Sequence, residues 1–278
     1  MSTSNPRLAR VKVAIFCCRL SLIVSLGVAI WMTVCKGEFT VSRLVKEQGV
    51  KMIDSELRDA LGGCADPGIP VQVADTLRKV SLLLPTEADR ENCRLGLRRD
   101  YLFIGAYTLA YLCLALLLSW RADWVPGLRI SFAGFLLALV TAGCDVGENI
   151  GTRCVVDRLH GDYGTGGVRG NRETVTREQE GAASGDVKLK QRYSYAKWYA
   201  NFALWMVFAF VWLRRRRLWQ MLSGGLLFIG GLWGVIAGGV SPVHIQGAFI
   251  IASLGLLIGT VLLFCIRSPR ELWEQVSE

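Results

Sequence analysis

Apolar residues in this chain gather into long unbroken blocks divided by polar stretches, not into the alternating pattern of half-buried strands. Six blocks stand out, over residues 13–35, 100–120, 128–149, 194–213, 218–240 and 246–266. Each is long enough, as a helix, to cross a hydrocarbon core of about 30 Å. The pattern therefore predicts an all-α fold, a polytopic transmembrane helix bundle of about six spans. Residues 1–12 and 267–278 are short polar ends. The first block follows Arg7, Arg10 and Lys12, exceeds the usual core of a secretory signal and lacks a small-x-small cleavage site before Lys36. It reads as an uncleaved anchor, with Arg19 snorkelling to the near interface.

The two long polar stretches differ in character. In residues 36–99, Val41, Leu44, Val45, Met52, Ile53, Leu57 and Leu61 recur at helical spacing, followed by a break at Gly62, Gly63 and Asp66-Pro67-Gly68. A second amphipathic stretch runs over 71–84. Pro85 ends it, and Thr86 with Asp89 three residues on makes an imperfect capping box for a helix that continues into the second span. This region reads as a small helical loop domain, too short to bury a large core alone. Residues 150–193 read as a flexible loop, since 161–167 are glycine-rich and hold few apolar residues. Those glycines lack both the Gly-Lys-Ser/Thr ending and the preceding strand of a phosphate loop.

Charge fixes the expected orientation. Basic residues flank the first span (Arg7, Arg10, Lys12), the second-to-third connection (Arg121, Arg129), the fourth-to-fifth connection (214–217, all arginine) and the end of the sixth (Arg267, Arg270). With six spans all of these fall on one side. The positive-inside rule then places both termini in the cytoplasm and both long loops outside a cell membrane. Trp120, Trp124, Trp212 and Trp219 would mark the inner interface, and Trp31, Tyr195, Trp198 and Tyr199 the outer one.

The net charge of +9 could suggest nucleic acid, but the basic residues sit at span ends and not on one face of a polar domain, so no nucleic-acid partner is expected. Hydrophobic residues make up 52% of the chain, which suits a lipid-embedded protein. Nine cysteines without a Cys-x-x-Cys pair, and only two histidines, point to no metal site and no cofactor. Cys64 and Cys93 share the first outer loop, an oxidising space under this topology, and are expected to form a disulfide. Cys35 and Cys154 are rival partners.

Two features could carry chemistry. Gly230, Gly234 and Gly238 recur every fourth residue on the fifth block, and Gly255 and Gly259 on the sixth. Such faces let helix backbones approach closely in lipid. The second feature is polar. Asp145, Glu148 and Asn149 share one helix face, with Thr141, Ala138 and Gly134 behind them. Asp100 opens the second span with Tyr107 and Tyr111 along its face, and Lys197 opens the fourth with Asn201 one turn deeper. All lie at one expected depth. They form a structural network, with Lys197 pairing to Asp145 or Glu148, or a ligand, ion or proton site, or are simply charges exposed at the interface.

Asp100 to Ile104 with Tyr107, the Asp145-x-x-Glu148-Asn149 signature and Lys197 together resemble a loosely defined group of uncharacterised multi-pass membrane proteins, over residues 98–213. The resemblance implies a membrane fold and carries no activity with it.

Three function classes follow. A non-catalytic protein, using its outer loops to bind a protein partner or assemble a complex in the lipid bilayer, has least to explain. A small-solute, ion or proton transporter or channel would use the acidic cluster, although no internal repeat is visible. An enzyme acting on a lipid would use the carboxylates as acid or base, but no serine or histidine marks a nucleophile.

Overall fold

The computed structural model describes scattered positions between 13 and 28, Val71, and residues 74–84, 86–120, 125–161, 177–213, 218–237 and 242–264. The helical reading of 36–70, the arginines at 214–217, Gly238 and Cys64 lie outside the described residues.

The described residues are helical, with no strand among them. The helices are α1 (Leu77–Leu83), α2 (Glu87–Trp120), α3 (Val125–Gly161), α4 (Arg177–Leu213), α5 (Leu218–Ala237) and α6 (Pro242–Phe264). Helical positions also occur between 13 and 28. Consecutive helices from α2 to α6 pack against one another, and α1 lies on α3 and α4. Among the described residues one helical segment, Phe132–Leu159, is long and apolar enough to cross a membrane. Two shorter apolar segments, Met221–Ala237 and Val243–Gly259, fall in the fifth and sixth blocks.

Local chemistry explains where the helices begin. Thr86 and Asp89 make the reciprocal cap that their spacing predicts. Asp89 N donates to Thr86 Oγ1 at 3.1 Å, and Thr86 N donates to Asp89 Oδ2 at 3.2 Å. Pro126 sits in the first turn of α3 and Pro242 opens α6, where a missing N–H costs nothing. The amphipathic stretch 71–84 is shorter as a helix than expected. Thr76 is extended and caps Lys79 N at 3.1 Å, so α1 starts only at Leu77. Its first free donors, Leu77 N and Arg78 N, meet the two carboxylate oxygens of Glu180 from α4.

The stretch 150–193 departs from the loop reading. Its first part completes α3 and its last part opens α4, each helix having 37 residues. The reason is a stripe of small and branched apolar side chains. Val155, Val156 and Leu159 of α3 and Ala183 and Val187 of α4 close on Val71, Ala74, Leu77, Val80, Leu83 and Leu84. The segment around α1 thus has no core of its own; it completes one that α3 and α4 supply. Arg90 pins the assembly by donating to the Leu84 and Leu159 carbonyls. Outside this core, Arg158 meets Asp186 at 2.5 Å.

A second core lies further along the same helices. Phe202, Leu204, Trp205 and Phe208 of α4 are fully buried with Ala138 of α3, Leu227 of α5 and Ile245, Ala248 and Ala252 of α6. The glycines set its spacing. A Cβ at Gly230 would lie 2.8 Å from the Ala248 carbonyl oxygen, and one at Gly234 would enter the Phe202 ring. Gly230 therefore admits α6 and Gly234 admits α4, because α5 runs between them. Gly255 sits against Ser223, whose hydroxyl donates to its carbonyl at 2.7 Å. Gly259 is buried.

The expected disulfide does not form. Cys93 is a free thiol packed beside the first of these cores. A shared loop and an oxidising side say nothing of geometry, and Cys93 turns out to belong to α2, packed inward. Burial pushes its thiol up to about 11. Cys154 is also free, and exposed.

A buried polar layer between two cores

The two apolar cores are separated by a layer of polar side chains on α2, α3 and α4. Antiparallel pairing sets its register. From the end of the bundle that carries α1, Arg94 meets Asp157 at 2.9 Å, Asn149 Nδ2 donates to Asp100 Oδ2 at 2.8 Å, and Tyr107 Oη donates to Asp145 Oδ2 at 2.7 Å. These are successive rungs between α2 and α3. On the other side, close approach of α3 and α4 is allowed by glycine. A Cβ at Gly151 would stand 3.0 Å from Lys190 Cβ, and one at Gly147 would press on the Tyr193 ring at 2.8 Å.

At the centre, Lys197 Nζ lies 3.0 Å from Asp145 Oδ1 and 2.6 Å from Glu148 Oε2. The i, i+3 spacing of the two carboxylates puts both on the α3 face that meets α4. Lys197 also lies over the Trp198 ring, 5.0 Å from its centroid. Asp145 and Lys197 are each 7% exposed and Glu148 only 1%. An isolated charge at such depth costs several kcal/mol, so the pairing is what lets these groups be there.

Of the residues expected to cluster, Tyr107, Asp145, Glu148 and Lys197 are joined by these contacts, and Asp100 and Asn149 pair with each other in the next rung. Asn201 is buried one turn from Lys197 on the same helix, and its Oδ1 has no hydrogen-bond partner among the described residues. Tyr111 extends the layer toward the larger core, where its oxygen accepts from Trp205 Nε1 at 3.1 Å.

Lys190 was not foreseen. It is fully buried and donates to the Val71 carbonyl at 2.5 Å. Burial lowers its ammonium to about 8, with Glu148 acting in the opposite direction. Its signal was available: Lys190, Ser194, Lys197 and Asn201 recur at i, i+4, i+7 and i+11, one face of a helix. Reading 150–193 as a loop hid the first of them.

Comparison with protein-family models, with curated proteins and with solved structures finds no match for this chain.

Proposed function

We propose that this is a polytopic protein of the cell membrane, with both termini cytoplasmic, that works as a non-catalytic complex-forming protein. Its partner would be a protein met by a rigid helical head on the outer side. One observation carries the reading: α3 changes its outward character part-way along while remaining a single helix. Phe132, Phe135, Leu136, Leu139 and Val140 are exposed on its first half, and Arg153, Asp157 and Arg158 on its last. An apolar exterior suits lipid and a charged one suits water. Exposed Ile229 and Ile236 on α5 and Ile250 and Leu257 on α6 fit the lipid-facing half. The basic flanks described above supply the orientation, and the polar layer would sit near the outer interface. The resemblance to multi-pass proteins with an Asp-x-x-Glu-Asn element belongs to the same proposal.

The test has two parts. Cysteine-accessibility labelling should place position 214 inside and exposed Cys154 outside; the reverse would sink the topology. Native mass spectrometry of protein purified from its own membrane should then show a stoichiometric subunit. Val187→Asp, which opens the head core, should release that subunit while the bundle stays folded. A protein that carries only lipid, with or without that change, would overturn the complex-forming role.

A further inference from the structure

We infer, on the membrane reading proposed above, that the shoulder between bundle and head docks acidic phospholipids, whose phosphates meet Arg98 of α2 and Lys188 and Arg192 of α4. The first observation is charge segregation. Exposed acids of α2, α3 and α4 lie toward the head tip, at Glu87, Glu91, Asp157 and Glu178. The acids of the polar layer are bonded inward, Asp100 to Asn149 and Asp145 and Glu148 to Lys197. Between the two groups, every exposed charge on the described residues of these helices is basic: Arg98, Arg153, Lys188 and Arg192. Arg153 has Asp157 at 3.7 Å, and the half-exposed Asp186 is taken by Arg158. Arg98, Lys188 and Arg192 have no ion-pair partner among the described residues.

These three stand at one height. Asp100 is bonded to Asn149, and two residues further along α3 Gly151 packs on Lys190. Because α2 and α3 run antiparallel, Arg98 is level with Gly151 and so with Lys190, midway between Lys188 and Arg192. Lys188 and Arg192 are one turn apart on a single face of α4. The level is also where the apolar exterior stops. Gly234 of α5 packs on Phe202, and α5 ends three residues later at Ala237. Arg192 lies ten residues beyond Phe202 along α4, about 15 Å of helix. Exposed Tyr101, one turn from Arg98, and exposed Tyr199, two turns from Arg192, both lie toward the apolar half, the depth that amphipathic rings favour.

Both halves of a lipid are needed to match this surface. A guanidinium takes a phosphate through two parallel hydrogen bonds, and a lysine ammonium takes it as a point charge. Directly below Arg98, on the same face of α2, Leu102 and Leu109 are exposed. A soluble anion would answer the arginine and leave both leucines in water. A phospholipid sets its phosphate at the arginine and its acyl chains along the leucines. An acidic headgroup leaves the negative charge that the unpaired basic band lacks, whereas a zwitterionic one brings its own cation.

The full chain in nanodiscs of phosphatidylcholine, with or without phosphatidylglycerol, tests this. Released from mixed lipid into mild detergent, the protein should retain phosphatidylglycerol over phosphatidylcholine in native mass spectra, roughly fivefold for each basic residue engaged. Its unfolding midpoint should rise with phosphatidylglycerol, and high salt should shrink the rise. The triple variant Arg98→Gln, Lys188→Gln, Arg192→Gln should keep its midpoint in neutral lipid and lose both effects. Equal retention of the two lipids by the unaltered protein would overturn the proposal, and that measurement needs no variant to fold. A preference that survives the triple change would equally overturn it, assigning the effect to the basic flanks at the other ends of the spans. So would equal stabilisation by inorganic phosphate in neutral nanodiscs, which would assign the band to a soluble anion. A chain that stays dispersed without detergent or lipid would refute the membrane reading itself, and the lipid site with it.

Discussion

Lys197 Nζ approaches Glu148 Oε2 to 2.6 Å, a contact that ties α4 to α3 at the level where the larger core ends and the smaller begins. Breaking a buried pair from one side strands the other charge, at about 3–5 kcal/mol. Lys197→Met is therefore expected to lower the unfolding midpoint strongly. Adding Glu148→Gln should return part of the loss. Thermal unfolding of the two single variants and the double variant closes the cycle; strict additivity would show that the contact contributes nothing.

The neighbouring tyrosines separate a charged from a neutral hydrogen bond. Tyr107→Phe removes the donor to Asp145 but keeps the ring that packs edge-on to Phe103. A hydrogen bond to a charged group contributes about 1.5–3 kcal/mol. Tyr111→Phe removes only the acceptor of the Trp205 indole, a neutral bond with a typical net contribution of about 1 kcal/mol. Tyr107→Phe should be the more destabilising. Equal losses, measured by denaturant or heat, would mean that Asp145 gains nothing from its hydroxyl partner.

Two glycines five positions apart on α5, Gly225 and Gly230, should respond in opposite directions. Alanine at Gly230 would press on the Ala248 carbonyl and Ala252 backbone of α6, so the two helices must separate. Alanine at Gly225 meets nothing within 4 Å. There it should stabilise by about 0.5–1 kcal/mol, through helix propensity alone. A thermal shift of the same sign for both would contradict the close packing of α5 on α6.

The head should respond to alkaline pH through two groups of opposite sign. Lys190 is lowered from 10.5 to about 8, so between those values the folded form holds fewer protons than the unfolded one. Its contribution to stability rises across that window. Cys93 is raised from 9.0 to about 11, so its contribution falls between those values. Stability should rise from pH 8 to 9 and then level. In Cys93→Ala the rise should continue toward 10.5. Unfolding midpoints across this range decide it, and a steady fall from pH 8 in both proteins would show that Lys190 is not held as described.

Thiol labelling gives an independent reading of the same region. Cys154 is exposed and should react readily with maleimide in the folded protein, whereas Cys93, partly buried against the head core, should react much more slowly until the protein unfolds, with or without reductant. Recovery of Cys93 in a disulfide-linked peptide would contradict its packing.

What was legible in the sequence was what depends on near neighbours. The Thr86–Asp89 cap is three residues wide, and the shared face of Asp145 and Glu148 follows from helix pitch. Pairing them with Lys197 required only that successive helices be adjacent. The head was not legible, because its order comes from distant parts of the chain. Glu180 caps Leu77, and Val155 and Val187 become core only when Leu83 and Leu84 lie on them. Read alone, 150–193 has a polar average that conceals this thin apolar stripe. The disulfide failed for the same reason: Cys93 faces inward because of the partners α3 and α4 bring to it, which no spacing between cysteines records.

The unbroken course of α3 and α4 through the polar layer has a mechanical consequence. Thirteen residues separate Glu148 from Gly161 at the end of α3, about 20 Å of helix at 1.5 Å per residue. No hinge interrupts that length, and Arg158 with Asp186 cross-braces it near the tip. The pair behaves as a strut of fixed height. Under the complex-forming role proposed above it would set a standoff distance for the partner, and a sideways load at its end would be delivered as torque on the layer that holds Lys197.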